Sequence, residues 1–239
     1  MDSHLFNNDA ALSLRLTSLQ LSAREANEWA ADLIGINRST AVTCVKPSGN
    51  SSTLLDCSPG IHPRYAPYYI RRARVNTSSS MYWALFMSGI ELTPENGQEE
   101  MENPSMYVAK FYVAAPEGAT CVGDRSAVEQ LDYWLKVKTF YTEHNPSATI
   151  TYHHEELEDI IDWLTENQAY VNGLSFLPAS DIMYNQAPYE AISREEYEEA
   201  VASQPNVDFD KLLPMLDAGM DNTKAAQELA CFAGQCDVI

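Results

Sequence analysis

The chain has 239 residues, room for one large domain or two small ones around a sizeable core, and five mostly unclustered cysteines, an odd count that argues against a secreted disulfide scaffold. Its formal net charge of −19 repels phosphate backbones and so argues against nonspecific nucleic-acid binding. No apolar run reaches the roughly 18 residues of a membrane span, and the opening Met1-Asp-Ser-His-Leu-Phe lacks the basic and apolar regions of a signal peptide, so no membrane partner and a cytoplasmic location are expected.

The leucines at 12, 14, 16, 19 and 21 leave the period open between a strand over 12–16 and a short helix. Ser22 followed by Glu25 reads as a capping box. Ala26, Trp29, Ala30 and Leu33 behind it form an apolar stripe at helical spacing, which Gly35 ends. Ala41 to Val45, with its β-branched residues, reads as a short buried strand stopped by Pro47, which cannot donate to a ladder. Residues 60–70, rich in Pro and Tyr, predict an ordered but irregular crossing. Residues 71–75 read as a strand, 80–89 as a helix, and 91–104, with Pro, Asn and Gly, as a surface loop.

Met106 to Val113 is the clearest strand of the chain. Ser126 to Tyr141 predicts a helix with Val128, Leu131, Trp134 and Leu135 on one apolar face. A strand over 148–152, an amphipathic helix carrying Leu157, Ile160, Ile161 and Leu164, and a strand over 173–177 stopped by Pro178 follow. Ser193, Glu196 and Tyr197 open a further short helix. This alternation predicts a parallel α/β assembly, either a small open sheet or part of a larger barrel completed by another chain. Residues 214–230 change character, with Gly219, Asp221, Asn222 and several alanines. They read as a flexible arm, or alternatively as a last helix over 222–230 docked on the body.

Several constellations could carry chemistry. In Lys46-Pro-Ser-Gly-Asn-Ser-Ser-Thr53 a strand ends, a glycine turn follows, and hydroxyls surround a helix N-terminus. Backbone N–H groups and hydroxyls in that arrangement suit a phosphate, although the Walker spacing is absent and an ordinary capped turn is the alternative. Lys46, Arg64, Arg71, Arg72 and Arg74 surround a region, 38–74, whose only acid is Asp56, so an anionic small molecule could be met locally. Cys57 and His62 do not make a zinc site, and Cys44 and Cys57 read either as a buried pair or simply as small hydrophobes. His153-His154-Glu155-Glu156 reads as a solvated face at a strand-to-helix turn. Asn145-Pro-Ser147 and Tyr184 to Glu190 read as shaped loops. Cys231 and Cys236, close to the chain end, suit a dithiol that carries reducing equivalents; two unrelated thiols or half of a metal site are the alternatives.

In order along residues 20–239, these segments resemble the carboxyl-terminal part of an adenosylcobalamin-dependent (class II) ribonucleotide reductase. The resemblance rests on Thr43-Cys-Val-Lys-Pro-Ser-Gly-Asn50, Ser58-Pro-Gly-Ile-His62, Pro67-Tyr-Tyr-Ile-Arg-Arg72, Glu143-His-Asn-Pro-Ser147, Gly173-Leu-Ser-Phe-Leu-Pro178, Gln186-Ala-Pro-Tyr-Glu190 and Glu228-Leu-Ala-Cys231 to Cys236. It implies the later part of a ten-stranded α/β barrel over 1–213 and a flexible redox-active tail over 214–239. It also implies replacement of a ribonucleotide 2′-hydroxyl by hydrogen through a thiyl radical that adenosylcobalamin initiates in the complete enzyme. Pro47, Ser48, Gly49, Asn50 and Ser51 match the loop that holds substrate phosphate, with Asn50 where the family usually has Thr. Cys231 and Cys236 match the tail pair that re-reduces an active-site disulfide. Cys44 and Cys57 match no reducing pair.

The Asn-x-Cys-x-Glu type segment of the radical cysteine, the specificity region and the upstream half-barrel are absent. The implied partners are therefore a missing N-terminal reductase portion or split subunit, a ribonucleoside di- or triphosphate, and a thioredoxin-like reductant. The location would be the host cytoplasm if the gene is of phage type. The alternative functions are a stand-alone α/β thiol-disulfide oxidoreductase and a noncatalytic nucleotide-binding remnant.

Overall fold

The computed structural model describes residues 9–179, 185–205, 207, 208, 210 and 212. The expected arm over 214–239, with Cys231 and Cys236, lies outside them. The chain forms two compact units, one of Met1–Tyr69, Val113–Met183 and Ala191–Arg194, the other of Ile70–Tyr112, Tyr184–Glu190 and Glu195–Ile239.

The first unit opens on a single long helix, α1 (Asp9–Ile34). The strand alternative for 12–16 is thereby set aside, and Ser22 and Glu25 sit inside the helix rather than at its start. Only the i, i+4 pair Leu12 and Leu16 is buried among the five leucines, with Ala31 further along. The stripe read through Trp29 and Leu33 faces outward. After the four-residue helix α2 (Ser51–Leu54) the chain crosses irregularly, as its Pro-rich sequence predicts.

Helix α4 (Ala127–Phe140) starts where the sequence places it, because Ser126 and Glu129 close a reciprocal capping box. Its inner face buries Ala127, Leu131 and Trp134 with Ile150, Ile160 and Trp163. Its Tyr133 and Val137 pack with Leu12 and Leu16 of α1. The two indoles meet edge to face at 6.4 Å, an arrangement favoured by their quadrupoles. Neither indole N–H is left unpaired: Trp134 donates to the Pro146 carbonyl at 2.9 Å and Trp163 to Asp132 at 2.8 Å.

Strand β4 (Thr149–Tyr152), helix α5 (Leu157–Glu166) and strand β5 (Ser175–Pro178) form the expected parallel crossover, with Thr149 opposite Ser175 and Tyr152 opposite Pro178. All four residues of β5 are exposed.

The other sheet departs from the parallel expectation. Its order is β2-β3-β1-β6, with β1 over Tyr68–Asn76, β2 over Leu92–Pro94, β3 over Met106–Ala114 and β6 over Tyr189–Ala191. β2 runs antiparallel to β3, with Leu92 opposite Ala109 and Pro94 opposite Tyr107. Bonds from Thr77 N–H to Ser105 and from Ala115 N–H to Pro67 tie opposite ends of β1 and β3, so these strands also run in opposite senses. Helix α3 (Ser80–Met87) starts at the Ser79 cap, and α6 (Arg194–Ser203) follows β6.

The expected strand over 41–45 does not form. The N–H groups of Val42 and Thr43 donate to the carboxylate of Glu143 instead of to a neighbouring strand.

Candidate functional site around the Lys46–Ser52 turn

The turn is built from the chain outward. Gly49 has φ +55°, a conformation that costs a side chain about 1 kcal/mol or more, so glycine suits it. Ser51 N–H and Ser51 Oγ–H both donate to the Ser48 carbonyl, at 3.0 and 2.6 Å, which closes the turn. Ser48 Oγ and the buried Ser52 Oγ share a 2.8 Å hydrogen bond, the i, i+4 contact of one helical turn. Lys46, Pro47, Gly49, Asn50 and Ser51 are exposed. Asn50 caps α2 through its backbone position alone, without a side-chain bond. The sequence-predicted loop 47–51 is therefore one contiguous turn whose exposed side carries the Ser51 hydroxyl, the Asn50 side chain and the start of a helical turn.

Two side chains order the neighbouring segments. His62 Nδ1 donates to the Pro59 carbonyl at 2.9 Å, while Nε2 accepts the Thr149 N–H at 2.9 Å, so both ring nitrogens serve the framework. Glu143 is the second. Its carboxylate accepts from Val42 and Thr43 N–H and pairs with Arg24 at 2.8 Å, and its own N–H donates to the Thr43 carbonyl at 3.0 Å. The Val42 N–H, with further help from Thr43 N–H, Arg24 and His144, holds the Glu143 carboxyl below its ordinary value against the opposing effect of burial.

A depressed carboxylate contributes its full stabilisation above the ordinary value and loses it as pH falls through the lowered one. Below about pH 4.3 the melting temperature of the wild type should therefore fall more steeply than that of Glu143→Gln, while at neutral pH the variant should melt lower. Parallel acid limbs in a calorimetric pH series would refute this assignment.

The arginine cluster is not an open anion site. Arg64 is buried and pairs with Asp56 at 2.9 Å, Arg74 pairs with Glu95 at 2.6 Å, and Arg72 pairs with Glu190 and donates to the Ala187 carbonyl. Arg71 lies over the Tyr189 ring. Their acidic partners are distant in sequence or, for Asp56, were counted as a lone acid, which is why the segment reads as more cationic than it is.

Cys44 and Cys57 are free thiols, the second exposed, so they form no pair. The His153–Glu156 segment is an exposed turn whose Glu156 accepts from His153 N–H and Ala127 N–H, a capping role. Among the described residues no cluster of three His, Cys, Asp or Glu could hold a metal. The two shaped loops are docking loops: Asn145 donates to the Gly173 carbonyl at 2.9 Å, and Gln186 joins Pro94 and Asn96. A Cβ on Gly173 would meet Asn145 Nδ2 at 2.8 Å, so a larger residue there would displace the Asn145 side chain from its bond to the Gly173 carbonyl. The role of Glu143 is the part that sequence reasoning misses, since nothing local marks a carboxylate that serves N–H groups 100 residues away.

No family model matches the chain. Against curated proteins it is 28% identical over 233 residues to the adenosylcobalamin-dependent ribonucleoside-triphosphate reductase of Levilactobacillus brevis, covering 97% of this chain and 31% of that protein. The chain is similar to the adenosylcobalamin-dependent ribonucleotide reductases. The Euglena gracilis reductase of the same name is 29% identical over 214 residues, covering 89% of this chain and 28% of that protein. A probable member from Dictyostelium discoideum is 28% identical over 195 residues, covering 79% and 25%. The crystal structure of a B12-dependent class II ribonucleotide reductase superposes with a TM-score of 0.76 at 23% identity, over 89% of this chain and 29% of that one. That superposition shows a shared fold. The resemblance read from the ordered motifs thus extends along nearly the whole chain, which spans about three tenths of the length of these reductases.

Proposed function

We propose that the chain is one portion of an adenosylcobalamin-dependent ribonucleotide reductase, a C-terminal portion or split subunit that supplies the substrate-phosphate loop at Pro47, Ser48, Gly49, Asn50 and Ser51 and the tail dithiol at Cys231 and Cys236. Conversion of a ribonucleoside di- or triphosphate to its 2′-deoxy form is completed by the portion that carries the radical cysteine. When bound there, adenosylcobalamin supplies the radical. The observation that carries the reading is alignment of nearly the full chain with proteins of that named activity, with the exposed 47–51 turn lying in the matched stretch.

The turn's own residues bind and orient. Gly49 lets the backbone approach an anion closely, and the Ser48 and Ser51 hydroxyls, which in the free chain donate to Ser52 Oγ and the Ser48 carbonyl, rotate to donate to phosphate oxygens, bonds stronger than those between neutral groups. In the enzyme reconstituted with the complementary portion, Ser48→Ala should weaken nucleotide binding by about 1–3 kcal/mol, roughly 5- to 150-fold, while the melting curve of the chain moves little. Unchanged affinity and turnover would remove the phosphate assignment.

A further inference from the structure

We infer that the outer face of α1 is the docking surface on which the rest of the reductase seats. The partner's identity rests on the functional reading above; the surface itself rests on geometry. Helix α1 has 26 residues, about 39 Å of length. Its inner side is committed to α4 through Leu12 and Leu16. On the other side Leu14, Leu21, Trp29 and Leu33 are 76%, 53%, 69% and 68% exposed. At about 100° per residue these four fall within roughly a third of the circumference, an arc they share with Ser18, Ser22 and Glu25. A groove of about 460 Å³, lined in part by Leu14, Leu21 and Phe140, opens on the same side.

Singly exposed leucines are ordinary, but four large apolar side chains exposed on one side of a helix over about five turns mark a face that is covered in the working protein. Three observations choose the occupant. The chain spans 31% of the Levilactobacillus brevis reductase, and the same fold occupies 29% of the superposed reductase chain, so in those proteins more than twice as much polypeptide remains outside the shared stretch. The groove is of a size that takes side chains from a packed partner. A second copy of this chain is disfavoured, because each copy carries a formal charge of −19 and like fields oppose association.

The test mixes the full chain, wild type or with Leu21→Glu and Leu33→Glu together, with the Levilactobacillus brevis reductase polypeptide from which the aligned stretch has been removed. Sedimentation velocity and titration calorimetry read the complex, and circular dichroism with thermal melting reads the fold of each form. The expected result is a one-to-one complex with the wild type and a dissociation constant raised about 30-fold or more in the double variant. Should the double variant melt much lower, Trp29→Ala with Leu33→Ala repeats the comparison without a buried charge, again with weakened binding expected. Equal affinity of wild type and variants, or no complex with the wild type, overturns the inference. Self-association of the wild type that the variants abolish also overturns it, since a second copy is then the occupant. Ribonucleotide reduction is assayed separately: a complex lost on mutation, with no reduction by the wild-type mixture, overturns the proposed activity and leaves the docking surface standing. Reduction at undiminished affinity with the double variant does the reverse.

Discussion

The purified 239-residue chain is expected to form no deoxyribonucleotide on its own, even with adenosylcobalamin, a dithiol and substrate, and to gain activity only when the complementary reductase portion is added. The expectation is chemical. Breaking the 3′ C–H bond needs a thiyl radical held beside the sugar, and the segment that carries that cysteine in the resembled family has no counterpart here. Of the five cysteines, Cys44 and Cys57 are free thiols that flank the 47–51 turn in sequence, Cys121 is buried with its backbone N–H tied to Asp124, and Cys231 and Cys236 are the proposed tail pair. A chain that binds phosphate but lacks the hydrogen-abstracting group contributes positioning alone, and positioning without the reacting group yields no turnover. The measurement is chromatographic detection of deoxyribonucleotide under three conditions: chain alone, complementary portion alone, and both. The difference between the first and third should be all or nothing, larger than any single substitution in the turn. Reduction by the chain alone would overturn the proposed incompleteness. Disulfide reduction without nucleotide or cobalamin would instead favour the stand-alone thiol oxidoreductase.

How much of this was legible depended on how local its causes are. Helix α4 was readable because Ser126, Glu129 and the Leu131/Trp134 face all lie within three turns, and each signal agrees with the others. The β4–α5–β5 crossover was readable for the same reason. Helix α1 was ambiguous because leucines at 12, 14, 16, 19 and 21 satisfy both periods; tertiary contact with Tyr133 and Val137 decides which two are buried. The strand over 41–45 failed because the carboxylate of Glu143 competes for its N–H groups, and that competitor lies across the sequence. Strands β2 and β6 have three residues each, too few to show a period, and hydrogen bonds to longer neighbours define them. In the site, Gly49 and the flanking serines announced the turn. The neutralisation of Arg64, Arg72 and Arg74 could not be seen, because Glu95 and Glu190 reach them only through the fold.

Replacing Cys231 and Cys236 together by Ser should leave the fold and the first turnover intact and abolish sustained turnover driven by thioredoxin. Reduction of one ribonucleotide consumes two electrons and leaves the active-site thiol pair as a disulfide. In the proposed cycle one tail thiolate attacks that disulfide, forming a mixed disulfide and releasing one active-site thiol, and the second tail thiolate then attacks the tail sulfur of the mixed disulfide, closing the tail disulfide and displacing the other active-site thiol. The tail is then left oxidised, and thioredoxin returns two electrons and two protons to it. The acidic composition of the chain disfavours thiolate formation at long range, so the attacking thiol depends on exposure and on its surroundings in the complex. In the reconstituted enzyme a prereduced sample of the double variant should yield about one product per active site in a rapid-quench burst, equal to the wild type, since the first cycle draws on the active-site pair alone. Multiple turnover with thioredoxin should then stop, whereas dithiothreitol, small enough to reach the active-site disulfide directly, should restore part of the rate. A smaller burst would mean that the substitutions disturb the active site rather than its resupply. Wild-type turnover with thioredoxin would rule out the shuttle, because no other route for the two electrons is then needed.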